Sequence, residues 1–281
     1  MIDKILRSIE QLPAIPAIVM KISEMLRDED YSVNALTGLI KYDQAIAANV
    51  LKMSNSAYLS PRRRIGSIHD AVVYLGQNNL VRVVQTAGIS RFFKKSGPGY
   101  CDAAHGLWEH SVAVALMSQI LARKILKHEH ETLYLGALLH DIGKIVMGEF
   151  VQESQKEIMA LVSRGSYSFL EAEEAVIGIN HAALGGRIAA YWHYPAEIEV
   201  ALTYHHRPDL AGDDELVWLV YLADQICLMA GITGGMDDLA HRGISEVMKK
   251  FSFHEKDLEL GILELVEDLQ HARDFVTMMS G

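Results

Sequence analysis

The sequence predicts an all-α protein built from two helical lobes. Three observations support this prediction. The 281-residue chain contains only six prolines, so residues that break helices are scarce. Apolar residues recur at the three- and four-residue spacing of helix faces, and the strict alternation typical of half-buried strands is nearly absent. We therefore expect about twelve to fourteen helices joined by short loops.

The first helices are predicted from apolar faces and from residues that begin or end helices. Residues 16–26 place their apolar side chains on one helical face. Asp43 is a suitable N-cap for a helix over residues 44–53. A further helix is expected over residues 68–75, where Gly76 supplies a C-terminal stop.

The later helices are predicted from the same kinds of signal. Ser168 and Glu171 have the spacing of a capping box, and Pro195 suits the first turn of a helix. The predicted helices in this half cover residues 105–126, 170–177, 196–206, 214–230 and 255–279.

A change in charge suggests where the two lobes divide. Residues 61–95 contain seven basic residues and one acidic residue, a net charge of +6, whereas the rest of the chain carries −16. The loop-forming sequence Ser-Gly-Pro-Gly follows at residues 96–99. We predict an N-terminal helical lobe over residues 1–97 and a second helical lobe, with its own chemistry, over residues 98–281. The three arginines at 62–64 are interpreted as a solvated loop, with an anion or acidic partner as the alternative.

Composition excludes several classes of function. A formal net charge of −10 disfavours a general affinity for nucleic acid or for an anionic membrane. Two distant cysteines provide neither a disulfide framework nor a cysteine zinc site. The charged N-terminus does not resemble a signal peptide, and the most apolar stretch, residues 216–232, is interrupted by Asp224. We therefore expect a cytoplasmic protein without nucleic-acid or membrane partners.

Histidine placement carries most of the predicted chemistry. Of the 13 histidines, His140 stands beside Asp141 at the end of an apolar helical run, which places both at the edge of a core. A buried carboxylate costs several kcal/mol unless it is paired or binds metal. Taken alone, this dipeptide favours a hydrogen-bonded His–Asp pair near a helix end, with metal binding as the alternative.

Further imidazoles and carboxylates favour a metal centre. His110 and Asp224 lie on the apolar faces of their predicted helices, and His181 begins another helix. His205 and His206 are adjacent and diverge by about 100° on a helix, so both serve one site only if it is wide. The candidate ligands are His110, His140, Asp141, His181, His205, His206 and Asp224. This donor set suits iron, manganese or zinc in a two-metal centre.

Two of these positions are candidates for direct roles in catalysis. Asp141 is the natural bridge between two cations, which would polarise a phosphoryl group and activate water. Lys144 lies one turn beyond His140, where its charge would neutralise a phosphate oxygen. We expect two divalent transition-metal ions, with iron or manganese favoured.

The order of these residues resembles the HD superfamily of metal-dependent phosphohydrolases. His181 with the His205–His206 pair looks like the fuller ligand set of its HD-GYP branch, whose members hydrolyse cyclic di-GMP. The N-terminal segments at residues 12–16, 39–52, 54–58 and 68–76 are similar to the HDOD domain, a bacterial signalling-output relative. The resemblance extends from about residue 8 to about residue 235. It implies a signalling protein whose lobe over residues 98–281 is HD-like and metal-binding.

Two departures from HD-GYP enzymes modify what the resemblance implies. The Gly-Tyr-Pro element that contacts the cyclic dinucleotide is missing after His206, so cyclic di-GMP hydrolysis is not expected. Gly106 stands where some members have the glutamate of a third metal, so two metals are expected. Many HDOD proteins have lost the HD ligands, and this chain resembles the minority that retains them.

Three functions follow from this resemblance. The first is metal-dependent hydrolysis of a phosphomonoester or phosphodiester, for instance a nucleotide. The second is a non-catalytic signalling module that docks a protein partner, with a structural or ligand-sensing metal site. The third is di-iron oxygen chemistry, which some HD relatives perform.

Overall fold

The computed structural model confirms the all-α prediction. It describes residues 1–10, 12, 17–25, 31–55, 61–93, 99–100, 104–128, 130–165, 167–233, 251, 253–254, 256 and 259–266. Helices dominate these residues, and none of them lies in a β-strand. Across the same ranges, no helix combines the length and apolar character needed to cross a membrane.

Twelve α-helices and one 3-10 helix have defined bounds within the described ranges. The first five are α1 (Ile2–Glu10), α2 (Ala17–Met25), α3 (Val33–Lys41), α4 (Gln44–Ser54) and α5 (Ile68–Phe93). The next four are α6 (Ala104–Ile125), α7 (Glu131–Leu139), α8 (Ile142–Ser163) and α9 (Phe169–Ile177). The remainder are α10 (His181–Tyr191), α11 (Ala196–Tyr204), a 3-10 helix (Pro208–Ala211) and α12 (Glu215–Met229).

The chain divides into two compact units. Residues 1–12 and 92–266 form one, which we call the histidine unit, and residues 13–91 with 267–281 form the other, the N-terminal unit. Helix α1 therefore belongs to the histidine unit, where Lys4 Nζ lies 5.3 Å from the centre of the Phe150 ring. The division into domains 1–97 and 98–281 stays a prediction, because compactness does not test independent folding.

In the N-terminal unit, the predicted helix signals are confirmed. The Asp43 carboxylate accepts a hydrogen bond from the Ile46 backbone N–H at 3.0 Å, so Asp43 caps α4 as expected. Gly76 interrupts the continuous helical run of α5 with a φ of 69°. The predicted stop is thus present, but a second helical stretch begins there at once and continues to Phe93.

In the histidine unit, α10 packs against α8 and α11, and α6 packs against α7 and α12. Ser168 and Glu171 form both halves of the predicted capping box at the start of α9. Helix α11 follows Pro195 but ends at Tyr204, two residues earlier than predicted. Of the predicted helix over 255–279, residues 259–266 are helical and most of the remainder lies outside the described residues.

Candidate metal centre

Several helix ends of the histidine unit converge on one buried point. His140 ends α7, Asp141 begins α8 and His181 begins α10. His205 is the C-cap residue that follows the last residue of α11, and His206 comes directly after it. His110 and Asp224 enter from within α6 and α12. The structure thus brings all the predicted ligands to one place, and Lys144 from the first turn of α8 lies there too.

The ligand atoms fall into two groups, in each of which they lie within 4.8 Å of one another. The first group is Asp141, His181, His205 and His206, which we call the three-histidine site. The second group is His110, His140 and Asp224, which we call the two-histidine site.

Asp141 directs one carboxylate oxygen toward each site. Its Oδ1 lies 3.6 Å from the Nε2 atoms of both His181 and His205. Its Oδ2 lies 3.2 Å from His140 Nε2 and 3.9 Å from His110 Nε2. This arrangement is what a carboxylate that bridges two cations requires.

The histidines are held so that Nε2 faces the centre. Nδ1 of His110 lies 3.0 Å from the Ile232 carbonyl oxygen, and Nδ1 of His140 lies 2.7 Å from that of Ala137. Nδ1 of His205 likewise lies 2.7 Å from the Leu202 carbonyl oxygen. A carbonyl only accepts, so each Nδ1 donates its proton, and Nε2 is the ring nitrogen that a cation at the centre would bind.

Buried atoms in the three-histidine site fit a cation. Asp141 Oδ1 and His205 Nε2 are buried and have no hydrogen-bond partner among the described residues. His181 Nε2 lies 2.9 Å from His206 Nε2, so two ring nitrogens face each other across the site. Buried polar atoms without partners are costly, and a divalent cation would satisfy Asp141 Oδ1 and His205 Nε2 while the two facing ring nitrogens supplied further ligands. The residues present therefore fit the expected metal.

Local charges and burial keep the two carboxylates ionised and His206 neutral, which are the forms that bind metal. Burial alone would raise the pKa of Asp141, but His140 and Lys144 hold it well below its usual range. Burial also opposes ionisation of Asp224, yet its hydrogen bond with His110 brings the pKa down to about 2. The pKa of His206 is lowered well below 6.5, first by burial and then by the neighbouring histidines.

Lys144 lies in the centre, as predicted from its spacing. Its Nζ donates to Asp141 Oδ2 at 2.7 Å, and its side chain is 2% exposed. The ammonium group is therefore beside the carboxylate that would bridge two cations. Its role in catalysis stays a prediction.

The prediction missed Glu173, which is fully buried behind His181. Its Oε2 accepts hydrogen bonds from the His181 backbone N–H at 3.0 Å and from His181 Nδ1 at 2.7 Å. The Tyr100 hydroxyl donates to the other oxygen, Oε1. The signal was present in the sequence, because Glu173 lies four residues from both Phe169 and Ile177 on the apolar face of α9.

Comparisons with known proteins agree with this description. The pattern of the HDOD domain matches residues 12–208. A crystal structure of an HDOD domain protein of unknown function from Geobacter sulfurreducens is 26% identical, with a TM-score of 0.76 over 98% of this chain and 97% of that chain.

Two further proteins are similar to this chain. A Shewanella amazonensis protein, provisionally described as a metal-dependent phosphohydrolase, is 17% identical with a TM-score of 0.63 over 96% of both chains, which shows a shared fold. An uncharacterised protein of Treponema pallidum (strain Nichols) is 21% identical over 202 residues, or 70% of this chain. The aligned part is 38% of that relative's length, so this chain spans well under two thirds of it.

Proposed function

The chain belongs to the HDOD domain family, and from this premise we propose that it is a signalling protein whose histidine unit hydrolyses phosphoesters with two divalent metal ions. The observation that carries the proposal is the position of Asp141, which directs one oxygen toward each group of ligands. The donors are imidazoles and carboxylates, which suit iron or manganese. Two such cations would act as Lewis acids and lower the pKa of a bound water molecule, so that hydroxide would be available at neutral pH.

The side chains would divide the work as follows. Asp141 would hold the two cations at a fixed separation, because its carboxylate is clamped between the histidines and Lys144. The Lys144 ammonium would neutralise negative charge that develops on the phosphoryl oxygens. His206 is the one proposed ligand that is not fully buried, so the substrate would enter on its side. The substrate class is a phosphomonoester or phosphodiester, for instance a nucleotide.

The experiment combines metal analysis with a hydrolysis assay on untagged protein prepared without chelator. We expect about two equivalents of iron or manganese and turnover of p-nitrophenyl phosphate or bis(p-nitrophenyl) phosphate. Asp141→Ala should abolish both metal binding and turnover. Asp70→Ala is the matched control, because Asp70 is exposed in the N-terminal unit and contacts His69, which is not among the proposed ligands.

Two results would contradict the proposal. Hydrolysis that survives in Asp141→Ala would come from a contaminant or from another site. Absence of metal after anaerobic reconstitution would show that the donor set does not bind cations. Oxygen consumption by the iron-loaded protein, without phosphoester turnover, would favour di-iron oxygen chemistry instead.

Burial of the ligands favours a second candidate function, a non-catalytic module with a structural or ligand-sensing metal. His110, His140, Asp141, His181, His205 and Asp224 are each at most 2% exposed. This leaves a substrate little access, whereas a structural cation needs none. In this case the N-terminal unit would dock a signalling partner. This function would be supported over hydrolysis if the protein bound two metal ions but hydrolysed neither of the two nitrophenyl phosphates. The same result would be expected for the wild type and for Lys144→Met.

A further inference from the structure

Glu173 distinguishes the two sites. Backbone carbonyls face Nδ1 of His110, His140 and His205, and none of these acceptors is charged. Nδ1 of His181 instead donates to a carboxylate, that of Glu173, at 2.7 Å. The three-histidine site thus has a full negative charge behind one of its ligands.

Glu173 is a buried carboxylate whose contacts are with His181 and with the Tyr100 hydroxyl. Its side chain is 0% exposed, and no lysine or arginine among the described residues pairs with it. A carboxylate in such a place is costly unless a cation compensates it. The hydrogen bond through His181 leads directly toward Asp141 Oδ1, where the cation is expected.

We propose that Glu173 is a positioning residue that acts on the three-histidine site alone. The hydrogen bond from His181 Nδ1 fixes the orientation of the ring, and the one from the backbone N–H fixes the carboxylate. A carboxylate acceptor on Nδ1 makes Nε2 a stronger ligand for a cation. The Tyr100 hydroxyl donates to the other oxygen and so restrains rotation of the carboxylate. This inference rests on the proposed metal centre but does not depend on hydrolysis.

The test is a Mn²⁺ titration of the full chain by calorimetry. We expect Glu173→Gln to weaken one of two Mn²⁺ binding steps by about 10–100-fold, the usual effect of losing such a carboxylate, and to leave the other step unchanged. Glu174→Gln is the matched control. It removes the same charge one residue away, from an exposed side chain whose contact is with Asn180. The substitution Asp224→Ala should remove the two-histidine site and leave the three-histidine site. In that background, Glu173→Gln should weaken the single Mn²⁺ binding step that remains.

A double-mutant cycle separates positioning from a merely structural role. If Glu173 acts through His181, Glu173→Gln adds no further loss of Mn²⁺ affinity when His181→Ala is already present. An equal loss in both backgrounds, an equal loss at both sites, or no loss would overturn the inference. If Glu173→Gln does not fold, Tyr100→Phe tests the same link. It should weaken the same step, and an unchanged titration would overturn the proposal.

Failure of the proposed metal centre can be distinguished from failure of the proposed role of Glu173. A wild-type chain that binds no Mn²⁺ would refute the metal centre and this inference together. A wild-type chain that binds two ions, with Glu173→Gln indistinguishable from it, would refute the role of Glu173 alone.

Discussion

Gly143 allows α8 and α10 to approach closely enough to form the three-histidine site. A Cβ atom at this position would lie 1.9 Å from the His181 carbonyl oxygen and 2.8 Å from its carbonyl carbon. Both atoms are backbone, so no side-chain rotation relieves the clash. The substitution Gly143→Ala should therefore separate the start of α10 from the start of α8, and with it His181 from Asp141.

The magnitudes predict a damaged site in a protein that still folds. Relieving the clash requires a shift of about 1 Å, whereas metal sites tolerate deviations of about 0.2 Å in their ligand distances. Overpacking costs about 1–3 kcal/mol, and replacing a helical glycine by alanine returns up to about 1 kcal/mol. The net loss of unfolding free energy, about 0–3 kcal/mol, is smaller than the typical stability of about 5–15 kcal/mol.

The assay pairs thermal unfolding of the metal-free protein with Mn²⁺ titration. Gly143→Ala should remain folded while the three-histidine site loses at least about tenfold in affinity, and any hydrolysis falls about 10²-fold. Gly185→Ala is the matched control on the facing helix. The nearest atom to its new Cβ is the His140 carbonyl oxygen at 3.6 Å, an ordinary contact, so it should bind Mn²⁺ normally. Wild-type affinity in Gly143→Ala would refute this account of the site.

Three further predictions follow from the structure. Saturating Mn²⁺ at 100 times its dissociation constant should raise the unfolding free energy by about 2.7 kcal/mol for each site that it fills, and chelator should reverse this; an unchanged midpoint would argue against binding to the folded state. Mn²⁺ affinity should fall as pH decreases, and the fall should begin above pH 6.5. Burial lowers the pKa of both His110 and His181. Asp224 outweighs this effect at His110, and Glu173 outweighs it at His181, so each pKa is raised and protons compete with Mn²⁺ at these two rings first. An affinity that does not change between pH 7.5 and pH 5.5 would contradict this. Ser168→Ala should lower the unfolding free energy by about 1 kcal/mol through loss of the α9 cap, measured by urea denaturation, while Mn²⁺ affinity is retained.

Local sequence signals identified most of the residues that the structure brings together in the candidate metal centre. His140 and Asp141 are adjacent, and an apolar run before them predicts their burial. Asp224 is recognisable as a carboxylate on the apolar face of its helix. Glu173 carries the same signal on α9 and was missed, because the capping box of Ser168 and Glu171 accounted for that helix start without it.

The positions of helix ends were less predictable than the helices themselves. Gly76 was expected to end a helix, and its positive φ does interrupt one, but the chain re-enters a helix at once. His205 and His206 were placed inside a helix, whereas α11 ends at Tyr204. This difference matters for the site, because residues beyond a helix end are not separated by the angle that a helix imposes.

By itself, the sequence determined that the chain is helical, which residues are buried, and which chemical types are brought to the core. These properties depend on spacing along the chain, which is local and can be read from periodicity and capping residues. The tertiary structure decided which oxygen of Asp141 faces which histidines, that carbonyls orient three rings, and that Glu173 orients a fourth. Those features depend on how close α8 and α10 approach, and a missing Cβ at Gly143 sets that approach through contacts between residues far apart in sequence.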